Sequence, residues 1–259
     1  LGSCVVFIAG FLGLPFAILA ERSLSTNNGY SFLYYKQIFL ESSERFSVFG
    51  TRQAILNSLL WATFAMVIAT ILGLLAALLL THKSPKLSRS SDVMLLMPLG
   101  TSGVLLGFGI IVGLDTSILD VRSEWWIVPV AQAILGVGFV SRIVSTAIRN
   151  QNPELKQAAQ TLGAKPRKVW WHIDMPIISR SLIAGSIFAF AIAIGEFGAT
   201  AFLARPQRPT IPTAVFNLLG RPGATTFGQA MALSVILALI TATAVSVLDR
   251  TGSVVGNEI

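Results

Sequence analysis

The sequence predicts an all-α membrane protein built as a bundle of six transmembrane helices, and three observations lead there. Hydrophobic residues make up 53% of the 259 positions and charged residues only 12%, with a mean hydropathy of +0.72. A soluble domain carries roughly 25% charged residues, so the bilayer is the expected solvent. Apolar stretches recur six times, each close to the ~20 residues an α-helix needs to cross a membrane. The basic residues behind the net charge of +7 fall in the connections between those stretches. Membrane topology accounts for that placement, and nucleic-acid binding does not.

The stretches lie at about 3–20, 54–80, 93–114, 126–148, 178–203 and 227–248. The first has neither a basic n-region nor a small-residue cleavage site, so it reads as a span rather than a secretory signal. Because the chain opens on Leu1 instead of methionine, the sequence reads as a segment of a longer polypeptide. The single cysteine, Cys4, excludes an internal disulfide or a cysteine metal cluster. It reads as a small packing residue. The third span carries Gly103-x-x-x-Gly107 and Gly109-x-x-x-Gly113, and the fifth carries Gly185, Gly195 and Gly198 among alanines. Helices in lipid associate through van der Waals fit, so small residues at this spacing mark packed faces. Trp125, Trp126, Trp170 and Trp171 fall near expected interfaces, where aromatic anchors sit.

Charge bias sets the direction of the spans. The second connection holds Lys83, Lys86 and Arg89 against Asp92. The fourth holds Arg142, Arg149, Lys156, Lys165, Arg167, Lys168 and Arg180 against Glu154 and Asp174. With the tail included, that side is net +6 and the opposite side net +2, although Arg205, Arg208 and Arg221 stand uncompensated on the latter. The bias of short loops therefore places both termini and the fourth connection in the cytoplasm.

The fourth connection is the most informative part of the chain. Asn152 suits an N-cap, Pro153 the first helical position, and Glu154 the positive end of a helix. Leu155 to Leu162 is helix-forming, and Gly163 can leave the helix in a left-handed conformation. Lys165 precedes Pro166 and is pushed out of the helical region. Pro166 then opens a second helix, Arg167 to about His172, before Pro176 precedes the fifth span. Ala158, Ala159 and Gly163 form a surface almost without side-chain bulk, with Gln157 and Gln160 beside it for hydrogen bonds.

These residues also follow a known spacing: Gln157-Ala158-Ala159, three residues, Gly163, nine residues, then Ile173-Asp174-Met175-Pro176. This resembles the cytoplasmic Glu-Ala-Ala loop of permease subunits in binding-protein-dependent ABC importers. The likeness extends over about 55–248, including Asn57-Ser58-Leu59 at the start of the second span. It implies the type I importer permease fold, with a first helix and outer loop at 1–53, a permease core at 54–248 and a cytoplasmic tail at 249–259. It implies a bacterial inner-membrane location, cytoplasmic ATPase subunits, an extracytoplasmic solute-binding protein, a second permease half, and no cofactor. In such permeases the loop is a coupling helix seated in a groove of the ATPase, with Gln157, Ala158, Ala159, Gly163, Ile173 and Pro176 at the family's positions. Gln157 replaces the family's Glu, which weakens a charge-assisted contact to a neutral one. Met175 for Leu conserves volume. Gly195-Glu196-Phe197-Gly198, followed by a long outer loop, is similar to the thiamine and iron(III) branch, where two six-span halves are often fused. The chain is then expected to be the C-terminal half of such a protein and to carry thiamine or iron(III).

Two polar residues inside spans are candidates for the translocation pathway. Glu196 is the acid well inside a span, and an intramembrane carboxylate must face the bundle or a wet cavity. It reads equally as a gate residue facing a cationic solute and as a carboxylate bonded to a neighbouring helix. Gly195 and Gly198 beside it would permit a local helix break. Gln132 reads as cavity wall or as glue between helices. His82 and His172 have no metal-ligand partners in the pattern, and nothing resembles a phosphate-binding G-x-x-x-x-G-K-S/T loop or a Ser/His/Asp grouping. The chain therefore does not hydrolyse ATP itself. The competing class is an ion-coupled secondary transporter titrating Glu196; another is an importer permease for a different solute, such as a polyamine or sulfate.

Overall fold

The computed structural model describes residues 2–26, 29–40, 50–82, 97, 100–114 and 124–253. The described chain is almost wholly helical. α1 runs Gly2–Leu24, followed by a two-stranded ribbon of β1 (Ser25–Thr26) and β2 (Gly29–Tyr30), antiparallel with Ser25 opposite Tyr30. α2 (Leu33–Leu40), α3 (Thr51–His82), α4 (Gly103–Leu114) and α5 (Ile127–Arg149) follow. Then come α6 (Pro153–Thr161), α7 (Pro166–Val169), a π-turn at Trp170–Asp174, α8 (Met175–Gly195), α9 (Gly198–Leu203), α10 (Ile211–Leu219) and α11 (Ala224–Ser253).

Helices dominate because a backbone in lipid must satisfy its own hydrogen bonds. Among the described residues α1, α3, α5, the rod from Pro166 to Gly195, and α11 are long and apolar enough to cross a membrane. These coincide with the first, second, fourth, fifth and sixth predicted spans. The upstream half of the third lies largely outside the described residues, leaving the twelve-residue apolar α4. The loop bases Lys83, Lys86, Arg89 and Arg122, the acids Glu41, Glu44, Asp92, Asp115 and Asp120, and the side chain of Cys4 also lie outside them.

The chain divides into two compact units. One comprises 1–60 with 204–242, and the other 61–203 with 243–259. The core of the first unit gathers Tyr34 and Ile38 of α2, Ala54 and Ile55 of α3, Ile211, Ala214 and Leu218 of α10, and Ala230 and Leu233 of α11. Polar ties fix the approach to α10. Asn57 Nδ2 donates to the Pro209 carbonyl at 3.0 Å, and the Ile211 N–H donates to Ser58 Oγ at 2.7 Å. Thr210 and Thr213 close a reciprocal capping box at its start. Gly228 is required there because any side chain would meet the Tyr34 ring.

In the second unit small residues let helices touch. A Cβ on Gly136 of α5 would lie 3.0 Å from Ala69 Cβ of α3 and 3.2 Å from Ala189 Cβ of α8. Gly185 abuts Val140, and Phe139 meets Phe188 edge-on at 5.0 Å. Thr70 Oγ1 donates to Ser186 Oγ at 2.8 Å, joining α3 to α8. The predicted glycine faces are half right. Gly107 abuts Ala199, Gly103 faces the Glu196 carboxylate, and Gly198 abuts Gly103 and Val104, whereas a Cβ on Gly109, Gly113 or Gly195 would meet nothing within 4 Å among the described residues.

Candidate functional site

The connection between α5 and α8 has the predicted caps. Asn152 Oδ1 accepts the Glu154 N–H at 3.0 Å, with Pro153 at the first helical turn of α6 and Glu154 beside it. At the other end the Ala164 N–H bonds to the Ala159 carbonyl and the Gly163 N–H to that of Gln160, at 3.0 and 2.9 Å. That pair of bonds is the Schellman closure, and it needs the left-handed φ of +80° that Gly163 adopts.

No residue of α6 is buried. Leu155, Ala158, Ala159 and Leu162 follow the i, i+3, i+4, i+7 spacing of an apolar helix face, yet Leu162 is 89% exposed and Leu155 51%. Such a face in a soluble helix turns inward; here it points out. Beside it lies an open groove of about 580 Å³, with Ala159, Leu162 and Gly163 on one side and Lys168, His172 and Ile173 on the other. Of the residues picked out in the sequence, Ala159, Gly163 and Ile173 line this groove, and Gln157, Ala158 and Pro176 do not. Leu155 and Leu162 escaped the sequence reading, although their seven-residue spacing was visible.

The second helix differs from expectation. α7 is a single turn, after which the chain widens into the π-turn, where the Met175 N–H reaches the Trp170 carbonyl five residues back. Pro176 does not interrupt the rod. It sits in the first turn of α8 directly after the π-turn, where the register is already changing and an imino nitrogen displaces no established bond.

The fifth predicted span is corrected too. It is not one helix over 178–203: α8 ends at Gly195, Glu196 takes an extended backbone (φ −71°, ψ 120°), and α9 restarts at Gly198. α8 alone has 21 residues, about 32 Å at ~1.5 Å per residue, so the break lies at the far end of the span from α6. Neither glycine uses a positive φ. Gly198 is needed because a Cβ would lie 2.7 Å from the Val104 nitrogen of α4.

Both polar candidates serve this break. The half-buried Glu196 carboxylate accepts the Ala199 N–H on Oε1 at 2.8 Å and the Thr200 N–H on Oε2 at 3.1 Å. Those are free donors of the first turn of α9. Thr200 Oγ1 returns a bond to the Glu196 carbonyl at 2.8 Å. Gln132 of α5 is buried, and its Nε2 donates at 2.9 Å to the Ala193 carbonyl, which also accepts the Glu196 N–H at 3.3 Å. Gln132 thus satisfies a carbonyl at the end of α8, joining α5 to α8, while its Oε1 is buried with no hydrogen-bond partner among the described residues.

Comparison with known proteins matches residues 48–251 to the binding-protein-dependent transport system inner membrane component family. The chain belongs to that family. A protein of Salmonella typhimurium LT2 named for 2-aminoethylphosphonate transport as its permease is 25% identical over 260 residues, spanning 98% of this chain and 94% of its own. The molybdenum transport permease of Mycobacterium tuberculosis is 29% identical over 207 residues, spanning 74% and 76%. Among solved structures, a bacterial alginate ABC transporter in complex with its alginate-bound periplasmic protein overlays with a TM-score of 0.76 at 19% identity, covering 98% of this chain and 93% of that one. The permease is therefore a multi-pass inner-membrane component of an ABC importer. It works with a solute-binding protein, ATPase subunits and a second permease half, and is not itself an enzyme. Membership also decides against the ion-coupled class as the energy source.

Proposed function

We propose that α6 is the helix by which this permease engages its ATPase, that the α5–α8 connection faces the cytoplasm, and that the imported solute is a small oxyanion. The observation that carries the docking reading is the outward apolar face Leu155, Ala158, Ala159 and Leu162 beside a groove edged by Lys168. Leucines held at that exposure on a capped, rigid helix have a use when another protein covers them. Gly163 fixes the end of the helix, so the apolar face and the groove are presented together. Gln157 is exposed and offers a neutral hydrogen bond where the family places a carboxylate.

The sequence pointed to thiamine or iron(III), both cationic, through the likeness of Gly195-Glu196-Phe197-Gly198 to that branch, with Glu196 as a gate residue facing the cation in one of its two readings. That carboxylate is now engaged by two backbone N–H groups, so its charge has a structural use and no longer argues for a cation. Support for an anion comes from the outer stretch. Between 197 and 248 there are three arginines, Arg205, Arg208 and Arg221, and no Asp or Glu. The phosphonate and molybdenum permeases among its relatives agree with that charge. The second permease half is supplied by a separate chain or by a fused upstream one.

The test is uptake into proteoliposomes holding the complete permease, its ATPase and its binding protein. 2-Aminoethylphosphonate and molybdate are compared with thiamine and ferric iron, alongside Gly163→Leu. Uptake of an oxyanion that needs ATP and binding protein, lost in Gly163→Leu with normal membrane insertion, is the expected result. Thiamine or ferric uptake would overturn the anion reading, and full retention in Gly163→Leu would overturn the docking reading.

A further inference from the structure

We propose that Lys156 and Asp174 form a strut that locks α6 to the foot of α8, so that movement of the docked helix is passed into the membrane span. The inference rests on the reading of α6 as the docking helix.

Asp174 ends the π-turn and its side chain is 9% exposed, whereas the Lys156 side chain on α6 is 37% exposed. The Lys156 ammonium lies 2.9 Å from Asp174 Oδ1, off the line of a hydrogen bond, so the contact is an ion pair. A carboxylate this buried is expensive unless it is paired. The partner comes from an otherwise exposed helix that has few other ties to the rest of the chain.

The π-turn makes the pairing possible. Val169 and Asp174, five positions apart, are both buried. On an α-helix of 3.6 residues per turn they would point about 140° apart, but the wider turn brings them to the same side. A π-turn is a rare and costly geometry that tends to persist where a function repays it. Here it turns the acid inward beneath α6 while leaving Lys168 and His172 on the groove. Pro166 to Gly195 then continues as one rod. Of the nearby bases, Lys165, Arg167 and Lys168 are exposed on α7 or just before it, and Lys156 is the base that crosses from α6.

Lys156 and Asp174 are thus positioning residues for transport, and the experiment separates positioning from docking. The complete importer in proteoliposomes is prepared with Lys156→Gln, Lys156→Arg, Asp174→Asn and the charge exchange Lys156→Asp with Asp174→Lys. Three quantities are read: ATPase co-purifying with the permease, ATP turnover, and solute moved per ATP. In Lys156→Gln and Asp174→Asn the ATPase should stay bound while solute per ATP falls about five-fold or more, the scale of coupling between linked sites. Lys156→Arg should retain coupling, and the exchange should recover it. Wild-type solute per ATP in Lys156→Gln overturns the strut, and so does failure of that variant to assemble, which would make the pair a folding element. Where Asp174→Asn or the exchange does not assemble, the Gln-against-Arg comparison at Lys156 decides. Leu162→Glu reports separately on docking: if it still holds the ATPase, the docking reading fails, and if it loses the ATPase while Lys156→Gln keeps coupling, the strut alone fails.

Discussion

Glu196 gives the sharpest test of how the broken span is held. Its two oxygens take the Ala199 and Thr200 N–H groups at 2.8 and 3.1 Å. Hydrogen bonds to a charged group contribute about 1.5–3 kcal/mol each. Since the carboxylate is only half-buried, the low end applies, giving about 3 kcal/mol for the pair. Glu196→Ala should lose that amount. Glu196→Gln keeps one acceptor at the same reach, worth about 1 kcal/mol, and should lose about 2. Glu196→Asp keeps the charge but is one methylene too short for the first turn of α9, and should behave like alanine. At about 2–4 °C per kcal/mol for a chain of this size, the expected falls in melting temperature are roughly 6–12 °C for Ala and Asp and 4–8 °C for Gln. Thermal unfolding of the purified permease in detergent, with uptake measured on the same variants, checks the order. A residue that sensed solute charge would give the reverse, with Asp more active than Gln. That order, or an unchanged melting temperature in Glu196→Ala, would refute the capping assignment.

The other contacts yield expectations of the same kind. Leu162→Glu should leave the stability within about 0.5 kcal/mol of the parent, as expected for an exposed position, while ATPase co-purification falls several-fold. A Cβ on Gly107 would lie 2.8 Å from Ala199 Cα and 2.9 Å from its carbonyl oxygen, so Gly107→Val should cost about 1–3 kcal/mol by overpacking. Two positions on, a Cβ on Gly109 would meet nothing within 4 Å among the described residues, and Gly109→Val in the same melting assay should be nearly silent. Gln132→Leu removes the bond to Ala193 and should destabilise by about 1 kcal/mol, because that carbonyl keeps the Glu196 N–H. A loss of 3 kcal/mol or more there would mean that the buried amide does something beyond joining α5 to α8.

How much of this was legible in the sequence depends on the range of the interaction. The caps of α6 are local chemistry: Asn152, Pro153, Glu154 and Gly163 each act within a few residues, and all four stand as read. Span positions follow from hydropathy: the first, second, fourth and sixth fall on described helices, while the fifth falls on a rod that starts earlier, at Pro166, and ends at Gly195. The break at Glu196 was only half legible. Its flanking glycines suggested an interruption, but a Cβ on Gly195 would meet nothing within 4 Å among the described residues, and Gly198 serves a close approach to α4, a contact no local pattern announces. Asn57 and Ser58 look like the start of a span; their partners, Pro209 and Ile211, lie more than 150 residues along the chain. The π-turn left no mark, because Trp170-Trp171-His172-Ile173 has the composition of an ordinary helix. Leu155 and Leu162 are a different case: their seven-residue spacing is visible in the sequence, but only their exposure on the folded α6 shows that this apolar face points outward.

The nine residues between Gly163 and Ile173 are best understood as an angle. A π-turn holds one residue more than an α-turn, so deleting a single residue within Trp170–Asp174 would let the rod relax to regular α-helix with nearly the same phase on both sides. A residue deleted from the regular helix of α8 has no such bulge to absorb it, and everything before it would rotate by about 100° relative to the rest of α8. The apolar face of α6 would still exist, as well capped as before, but aimed elsewhere. Length changes in the rod are therefore absorbed at the π-turn and act as changes of phase beyond it, even where no contacting side chain is altered.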